Sequence, residues 1–145
     1  MIGVIIAGTR TFDDYELLKE KCDKWLKYGH PNDLVILSGG AKGADKLGER
    51  YAKERNLNLE IYPANWEKYG KSAGIKRNIQ MGNNADILIA FWDGKSRGTK
   101  HMIDYANKQE FTTVVVIDYE ENLEYYSSHR KRNPNLFSGQ TRQQD

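Results

Sequence analysis

Leu34-Val35-Ile36-Leu37-Ser38-Gly39-Gly40-Ala41-Lys42-Gly43-Ala44-Asp45 passes from an unbroken apolar run into a glycine-rich turn, and Lys46-Leu47-Gly48-Glu49-Arg50-Tyr51-Ala52 continues from it. The run reads as a buried strand, the glycines as a tight turn, and the continuation as a helix to about Glu54. A turn of this kind suits an anion. Glycine lets the backbone approach a ligand closely, and the first N–H groups of a helix have no acceptor inside it. Those donors, with the positive end of the helix dipole, favour a phosphate or a carboxylate.

Upstream, Ile2 to Ala7 is a continuous apolar run rich in β-branched residues, closed by Gly8-Thr9-Arg10. Continuous rather than alternating apolar character means burial on both faces, as in a parallel sheet. Asp13 or Asp14 can cap the next helix, in which Tyr15, Leu18, Cys22, Trp25 and Leu26 recur at helical spacing. Tyr28 to Asp33 is a turn cluster. Downstream, Leu57 to Tyr62 is a third and more polar strand, expected nearer an edge. Residues 63–72 read as a loop containing Trp66 and Tyr69, and Ala73 to Met81 as a helix broken by Asn83-Asn84. Asp86 to Trp92 is a fourth strand, Asp93-Gly94-Lys95-Ser96-Arg97-Gly98-Thr99 a further strand-to-helix turn, Lys100 to Lys108 a helix and Thr113 to Ile117 a strand.

Strands alternating with helices imply right-handed crossovers. The fold class expected is α/β, a single doubly wound, mostly parallel, Rossmann-like sheet with helices on both faces. Ligands of such sheets bind outside the carboxyl ends of the strands, where strand order reverses. All three glycine turns lie on that edge. Residues 1–118 make up the expected domain, and residues 119–145 a polar tail with a short helix that then frays. The chain shows no internal repeat and no second domain.

With 145 residues, 39% hydrophobic and 29% charged, the chain has the profile of a soluble globular protein with one core. A net charge of +2 is too small to argue for nucleic acid by bulk electrostatics. The lone Cys22 excludes an internal disulfide, suits a reducing cytosol and is expected as a buried thiol on a helix. Met1 to Gly8 has no basic start and too short an apolar run for a signal sequence. No segment reaches membrane-spanning length, so a cytoplasmic location is expected.

Gly8-Thr9-Arg10 sets a hydroxyl and a guanidinium at the end of the first strand, and arginine suits bidentate capture of phosphate or carboxylate. Arg10 is read as touching ligand rather than as a surface arginine after a turn. The second turn, Ser38 through Asp45, is neither a P-loop nor a dinucleotide fingerprint, because Lys42 lies inside the glycine cluster. Asp45 either caps the helix or accepts from ligand hydroxyls, and the sequence does not separate the two. In the third turn Asp93, Ser96, Gly98 and Thr99 again offer backbone donors and hydroxyls to an anion. Trp92 either stacks on a base or closes the core. Arg77-Asn78, with Lys71, Ser72 and Lys76 upstream, either closes over a phosphate or forms a solvated helix face. His30, His101 and His129 are scattered, so neither a metal nor a cofactor is expected. No Gly-x-Ser-x-Gly nucleophile elbow is present.

Taken together, these turns resemble the SLOG superfamily, Rossmann-like proteins that include the Lonely-guy phosphoribohydrolases and the DNA-processing-A proteins. The nearest likeness is to the small YspA-type, YpsA-related SLOG proteins of bacteria and phages. The resemblance is carried by Ile5-Ile6-Ala7-Gly8-Thr9-Arg10, by Ser38 through Asp45, by Lys76-Arg77-Asn78, Met81 and Ala85-Asp86, and by Ile89 through Thr99. It covers essentially Met1 to Ile117. It implies a nucleotide or nucleotide-derived ligand held by the Ser-Gly-Gly and Gly-Thr turns. Lonely-guy enzymes cleave an N-glycosidic bond, with an arginine before the fourth strand and Pro-Gly-Gly-x-Gly-Thr-x-x-Glu after it. Arg77 and Gly98-Thr99 match that signature, whereas Met102 stands where the glutamate belongs.

Glycosidic cleavage needs a carboxylate to stabilise an oxocarbenium-like transition state or to activate water, and methionine does neither. Asp104 lies two residues further on and does not share that helix face. The leading expectation is therefore a nucleotide-derivative sensor or sequestering protein. The enzymatic alternative is a nucleotide N-glycosidic or phosphate hydrolase with Asp45 or Asp93 as acid or base. A third is single-stranded DNA binding through Tyr62, Trp66, Tyr69, Lys71, Lys76 and Arg77, disfavoured by the near-neutral charge. The partners expected are a nucleotide-derived small molecule and, with Trp25 available for burial, further copies of the chain.

Overall fold

Every residue of two strands, Leu34–Ser38 and Thr113–Asp118, is buried, because helices cover both faces of the sheet they belong to. The computed structural model describes residues 1–129. In chain order the elements are β1 (Ile2–Gly8), α1 (Tyr15–Leu26), β2 (Leu34–Ser38), α2 (Ala44–Glu54), β3 (Asn58–Ile61), α3 (Trp66–Tyr69), α4 (Ala73–Gly82), β4 (Ile87–Trp92), α5 (Arg97–Lys108), β5 (Thr113–Asp118) and β6 (Leu123–Ser128). The strands form one six-stranded sheet in the order β3-β2-β1-β4-β5-β6. The first five run parallel and β6 is antiparallel to β5. This is the doubly wound, Rossmann-like arrangement the alternation of strands and helices implies.

Alternate residues of each strand point to opposite faces. On one face Val4, Ile6, Ile36, Ile89 and Phe91 pack under α1 and α2, through Leu18, Cys22, Leu26, Ala44 and Ala52. On the other, Ile5, Leu37, Leu88, Ala90 and Val116 meet Met81 of α4 and Met102, Ile103 and Ala106 of α5. Each fully buried Leu or Ile contributes about 1.5–3 kcal/mol over exposure, so this double cover fixes the sheet on which the turns sit. At the start of α1 it is Asp14 that caps, its Oδ1 accepting from the amide of Leu17 at 3.1 Å. The polar strand β3 takes an edge, as expected of its composition.

Three stretches differ from the sequence reading. Residues 63–72 are not simply a loop. Asn65 accepts from the amide of Lys68 at 3.0 Å and starts the single turn α3, which passes through Gly70–Ser72 into α4. Helix α5 begins at Arg97 rather than Lys100, because Gly98 and Thr99 adopt helical geometry and belong to its first turn. After Asp118 the chain forms β6 in place of a short helix. Alternation explains this: Glu124 turns to Lys21 and Lys24 at 2.8 Å each, while Leu123 and Tyr125 are exposed. Trp25, expected to be available for burial against another copy, instead packs on Tyr126 at 5.1 Å and donates its indole N–H to Glu124 at 3.1 Å. The fraying expected of the last residues falls beyond residue 129, outside the described residues. Among the described residues no helix is long and apolar enough to cross a membrane.

Candidate functional site

Strand order reverses between β1 and β4. The chain winds outward from β1 to β3 on one side and from β4 to β6 on the other, which leaves a crevice at the carboxyl ends of the central pair. The turn after β1 is stitched to the one after β4: the amide of Thr9 donates to the Phe91 carbonyl at 2.9 Å, and the Thr9 hydroxyl accepts from the amide of Asp93 at 3.1 Å. It is also docked on the start of α2, where the amide of Ala44 donates to the Thr9 carbonyl at 3.3 Å. Gly43 makes that docking possible. Its φ of 79° is unfavourable for other residues, and a Cβ there would overlap the backbone of Thr9 and Arg10.

A cavity of about 490 Å³ lies between these turns, α4 and α5. Its walls include Gly8, Thr9, Arg10, Ala41, Asp45, Arg77, Asn78, Asp93, Ser96, Gly98 and Thr99, eleven of the residues read from the sequence as site residues. A second space of about 710 Å³ shares Arg10, Ala41, Trp66 and Arg77 with the first, and adds Gly39, Gly40, Lys42 and Lys46.

The two helix starts that reach this edge differ. At α2 three of the turn donors expected to hold an anion are engaged within the chain. The amide of Gly40 donates to Ser38 Oγ at 3.0 Å, that of Ala41 to Asp45 Oδ2 at 3.1 Å, and that of Ala44 to Thr9. Ser38 is itself fully buried, and its hydroxyl donates to Glu49 at 2.6 Å. It shapes the turn and does not line either space.

Helix α5, like α2, has no side-chain cap on its N-terminus. Asp93 Oδ1 instead accepts from the amides of Lys95 and Ser96, both at 2.8 Å, which fixes the loop and lowers the Asp93 pKa. The first-turn amides of α5 thus lie beyond the loop that Asp93 holds, with the Ser96 and Thr99 hydroxyls paired beside them at 3.2 Å. Gly98 is the telling residue. A Cβ placed on it meets nothing within 4 Å, and its φ is not positive, so packing gives no reason for glycine at the cavity wall.

Positive charge enters from Arg10, Arg77 and Lys71. Arg77 donates from Nη1 to the Gly39 carbonyl and from Nε to Asn78 Oδ1 at 3.1 Å. Asn78 in turn donates to the Gly98 carbonyl at 3.2 Å, so α4 bridges the second and third turns. Burial holds the Arg77 guanidinium below its ordinary pKa, with Arg10 adding to the effect and Asp45 opposing it. Burial pushes the Asp45 carboxyl up to about 6. The Glu49 charge adds to that rise, and the Ala41 amide, Arg77 and Arg10 act against it. Among the described residues no three His, Cys, Asp or Glu side chains converge as metal ligands would.

Two further residues read as site residues do not face either space: Gly43, which packs on the first turn, and Trp92. Trp92 donates its indole N–H to the Ser96 carbonyl at 3.0 Å and lines a separate cleft of about 170 Å³ beside Ile103, Val114 and Tyr125. The cavity walls also hold Trp66, Gly74, Ile75, Met81 and Met102. Trp66 and Ile75 are large exposed apolar residues; the sequence points to this wall through Trp66 in a basic segment and through Met81 and Met102 in the family signature, but not through Gly74 or Ile75.

Comparison with known proteins bears on the family and the fold. A family model described as the YspA, cpYpsA-related SLOG family matches residues 2–69. The Gene 61 protein of Mycobacterium phage D29 is 37% identical over 114 residues, which cover 74% of this chain and 90% of that protein. The X-ray structure of DNA processing protein A from Streptococcus pneumoniae superposes with a TM-score of 0.58 at 17% identity. The match covers 79% of this chain but 49% of that one, so the chain spans about half its length and the likeness is one of fold.

Proposed function

We propose, for a chain that belongs to the YspA, cpYpsA-related SLOG family, that it binds a nucleotide or nucleotide-derived small molecule at the carboxyl edge of its sheet and acts as a sensor or sequestering protein. The single observation that carries this reading is the wall of the 490 Å³ cavity. The uncapped start of α5, with a glycine that packing does not require, faces Arg10 and Arg77 across it. A phosphate at that helix start gains backbone donors, the dipole and two guanidiniums, while Trp66 and Ile75 offer apolar surface to a base. Met102 supports binding over turnover. It lines the cavity at the place where the Lonely-guy signature carries its glutamate, and it is buried.

Melting-temperature shifts and calorimetry with nucleoside mono-, di- and triphosphates, NAD, ADP-ribose and cyclic nucleotides test the proposal. Binding without consumption supports it, and no shift or heat at millimolar concentration with any of them removes it. One observation favours a second reading, hydrolysis of a nucleotide's N-glycosidic or phosphate bond: Asp45 lines the cavity with a carboxyl near 6, suited to general acid or base work. Chromatography for released base or phosphate separates the two, and turnover abolished by Asp45→Asn would establish the enzyme.

A further inference from the structure

Asp45 is placed where an anion belongs. Its Oδ2 accepts from the amide of Ala41 inside the glycine turn, at 3.1 Å. The backbone of Gly39 is held between that carboxylate and the Arg77 guanidinium: a Cβ there would lie 2.8 Å from Asp45 Oδ2 and 2.6 Å from Arg77 Nη1. The other charged groups about Asp45 are Arg10 from the turn after β1 and Glu49 from the next turn of α2, with Asp93 on the turn after β4 lining the same cavity. Asp45 is thus the carboxylate that both engages a turn amide and acts electrostatically on Arg77, the two services a ligand phosphate would perform.

A second negative group entering the same cavity meets the field of that carboxylate where screening is weaker than in water. A proton on Asp45 relieves the repulsion. The neutral carboxyl keeps an oxygen for the Ala41 amide and gains an O–H to donate toward the newcomer. Asp93 is not the proton's destination, because two backbone amides hold its charge in place.

We propose that Asp45 is an internal counter-anion of the cavity, and that an anionic ligand binds together with one proton taken up by its carboxyl group. This rests on the binding reading above and adds its regulation. Affinity for an anion that does not itself titrate then rises as pH falls and levels off once Asp45 is protonated in the free protein.

Sulfate keeps its charge between pH 5.5 and 7.5 and is the probe. Its dissociation constant is read from the saturable shifts of the Gly98 and Thr99 amide resonances in 15N-labelled protein. Wild type is expected to bind about fivefold or more tightly at pH 5.5 than at pH 7.5. Asp45→Asn, which still offers an oxygen to Ala41, is expected to bind equally at both and as tightly at pH 7.5 as wild type does at 5.5. Histidine is the residue type that changes charge in this interval, so His101→Gln, which replaces the ring whose Nδ1 lies 3.3 Å from Asn78 Nδ2, is included and is expected to retain the wild-type ratio. Saturable binding with a flat pH profile in wild type, or an undiminished profile in Asp45→Asn, overturns the proton coupling alone. A profile lost in His101→Gln overturns it as well. Failure of sulfate to shift these amides at either pH overturns the binding reading with it. Should Asp45→Asn not fold, the profiles of wild type and His101→Gln decide.

Discussion

Arg77 donates to the carbonyl of Gly39, and this bond ties the middle of α4 to the turn after β2 across 38 positions of chain. One side chain therefore both shapes the glycine turn and presents charge to the cavity. Arg77→Ala is expected to weaken binding of an anionic nucleotide by about 10- to 100-fold, the range for a lost charge-assisted hydrogen bond. Arg77→Lys restores charge but not the planar fork and should recover only part of it. Calorimetry on the three proteins measures this.

Gly98 and Gly43 make opposite predictions from the same substitution. A methyl group at Gly98 meets no neighbour, and alanine is the better helix former, so Gly98→Ala should leave the protein as stable or more stable by up to ~1 kcal/mol. It should nevertheless bind nucleotide at least several-fold more weakly, because the methyl group lies where the phosphate approaches. Gly43→Ala must fit a Cβ onto the Thr9 and Arg10 backbone at positive φ, and is expected to lose about 1–3 kcal/mol. Urea unfolding and a binding titration separate the two effects.

Asp45 predicts a descending limb in stability against pH. Its carboxyl is raised in the folded protein from 3.8 to about 6. Between those values the native state holds more protons than the unfolded chain, so stability is full below about pH 4 and declines as pH rises to about 6. Asp45→Asn removes this limb and should stabilise the protein at pH 7 by up to roughly 3 kcal/mol, while the amide oxygen still accepts from Ala41. Denaturant unfolding at pH 4.5, 6 and 7.5 for both proteins is the check.

Cys22 lies fully buried on the sheet-facing side of α1, and burial, with the neighbouring Asp23 charge, pushes its thiol far up from the ordinary value. A thiol reagent at pH 8 should label it only at the rate of global unfolding, and labelling should follow full exposure in denaturant. Fast labelling of the native protein would contradict its place in the core.

The alternation of apolar runs and glycine turns made the sheet and its ligand edge readable, because burial on both faces leaves a direct mark on composition in Ile2–Gly8, Leu34–Ser38 and Ile87–Trp92. What stayed hidden depends on partners distant in the chain. Ser38 reads as a ligand hydroxyl until Glu49 is seen to accept its hydrogen bond. Trp92 reads equally as a stacking aromatic or a core residue, and it is strand parity that turns it with Leu88 and Ala90 toward α5. Strand β6 is polar because one of its faces is exposed and the other answers lysines of α1, so neither hydropathy nor a long apolar run betrays it. How each turn employs its own carboxylate was equally illegible. Asp45 and Asp93 look alike in the sequence, yet one engages the amide of its own turn and the other the loop before α5.

A crystal structure of the protein with the nucleotide that most raises its melting temperature tests the central claim most directly. The phosphate is predicted within hydrogen-bonding distance of the Gly98 and Thr99 amides, with Arg10 or Arg77 as its charged partner. Nucleotide density away from the crevice between β1 and β4, or a phosphate remote from the first turn of α5, would contradict it.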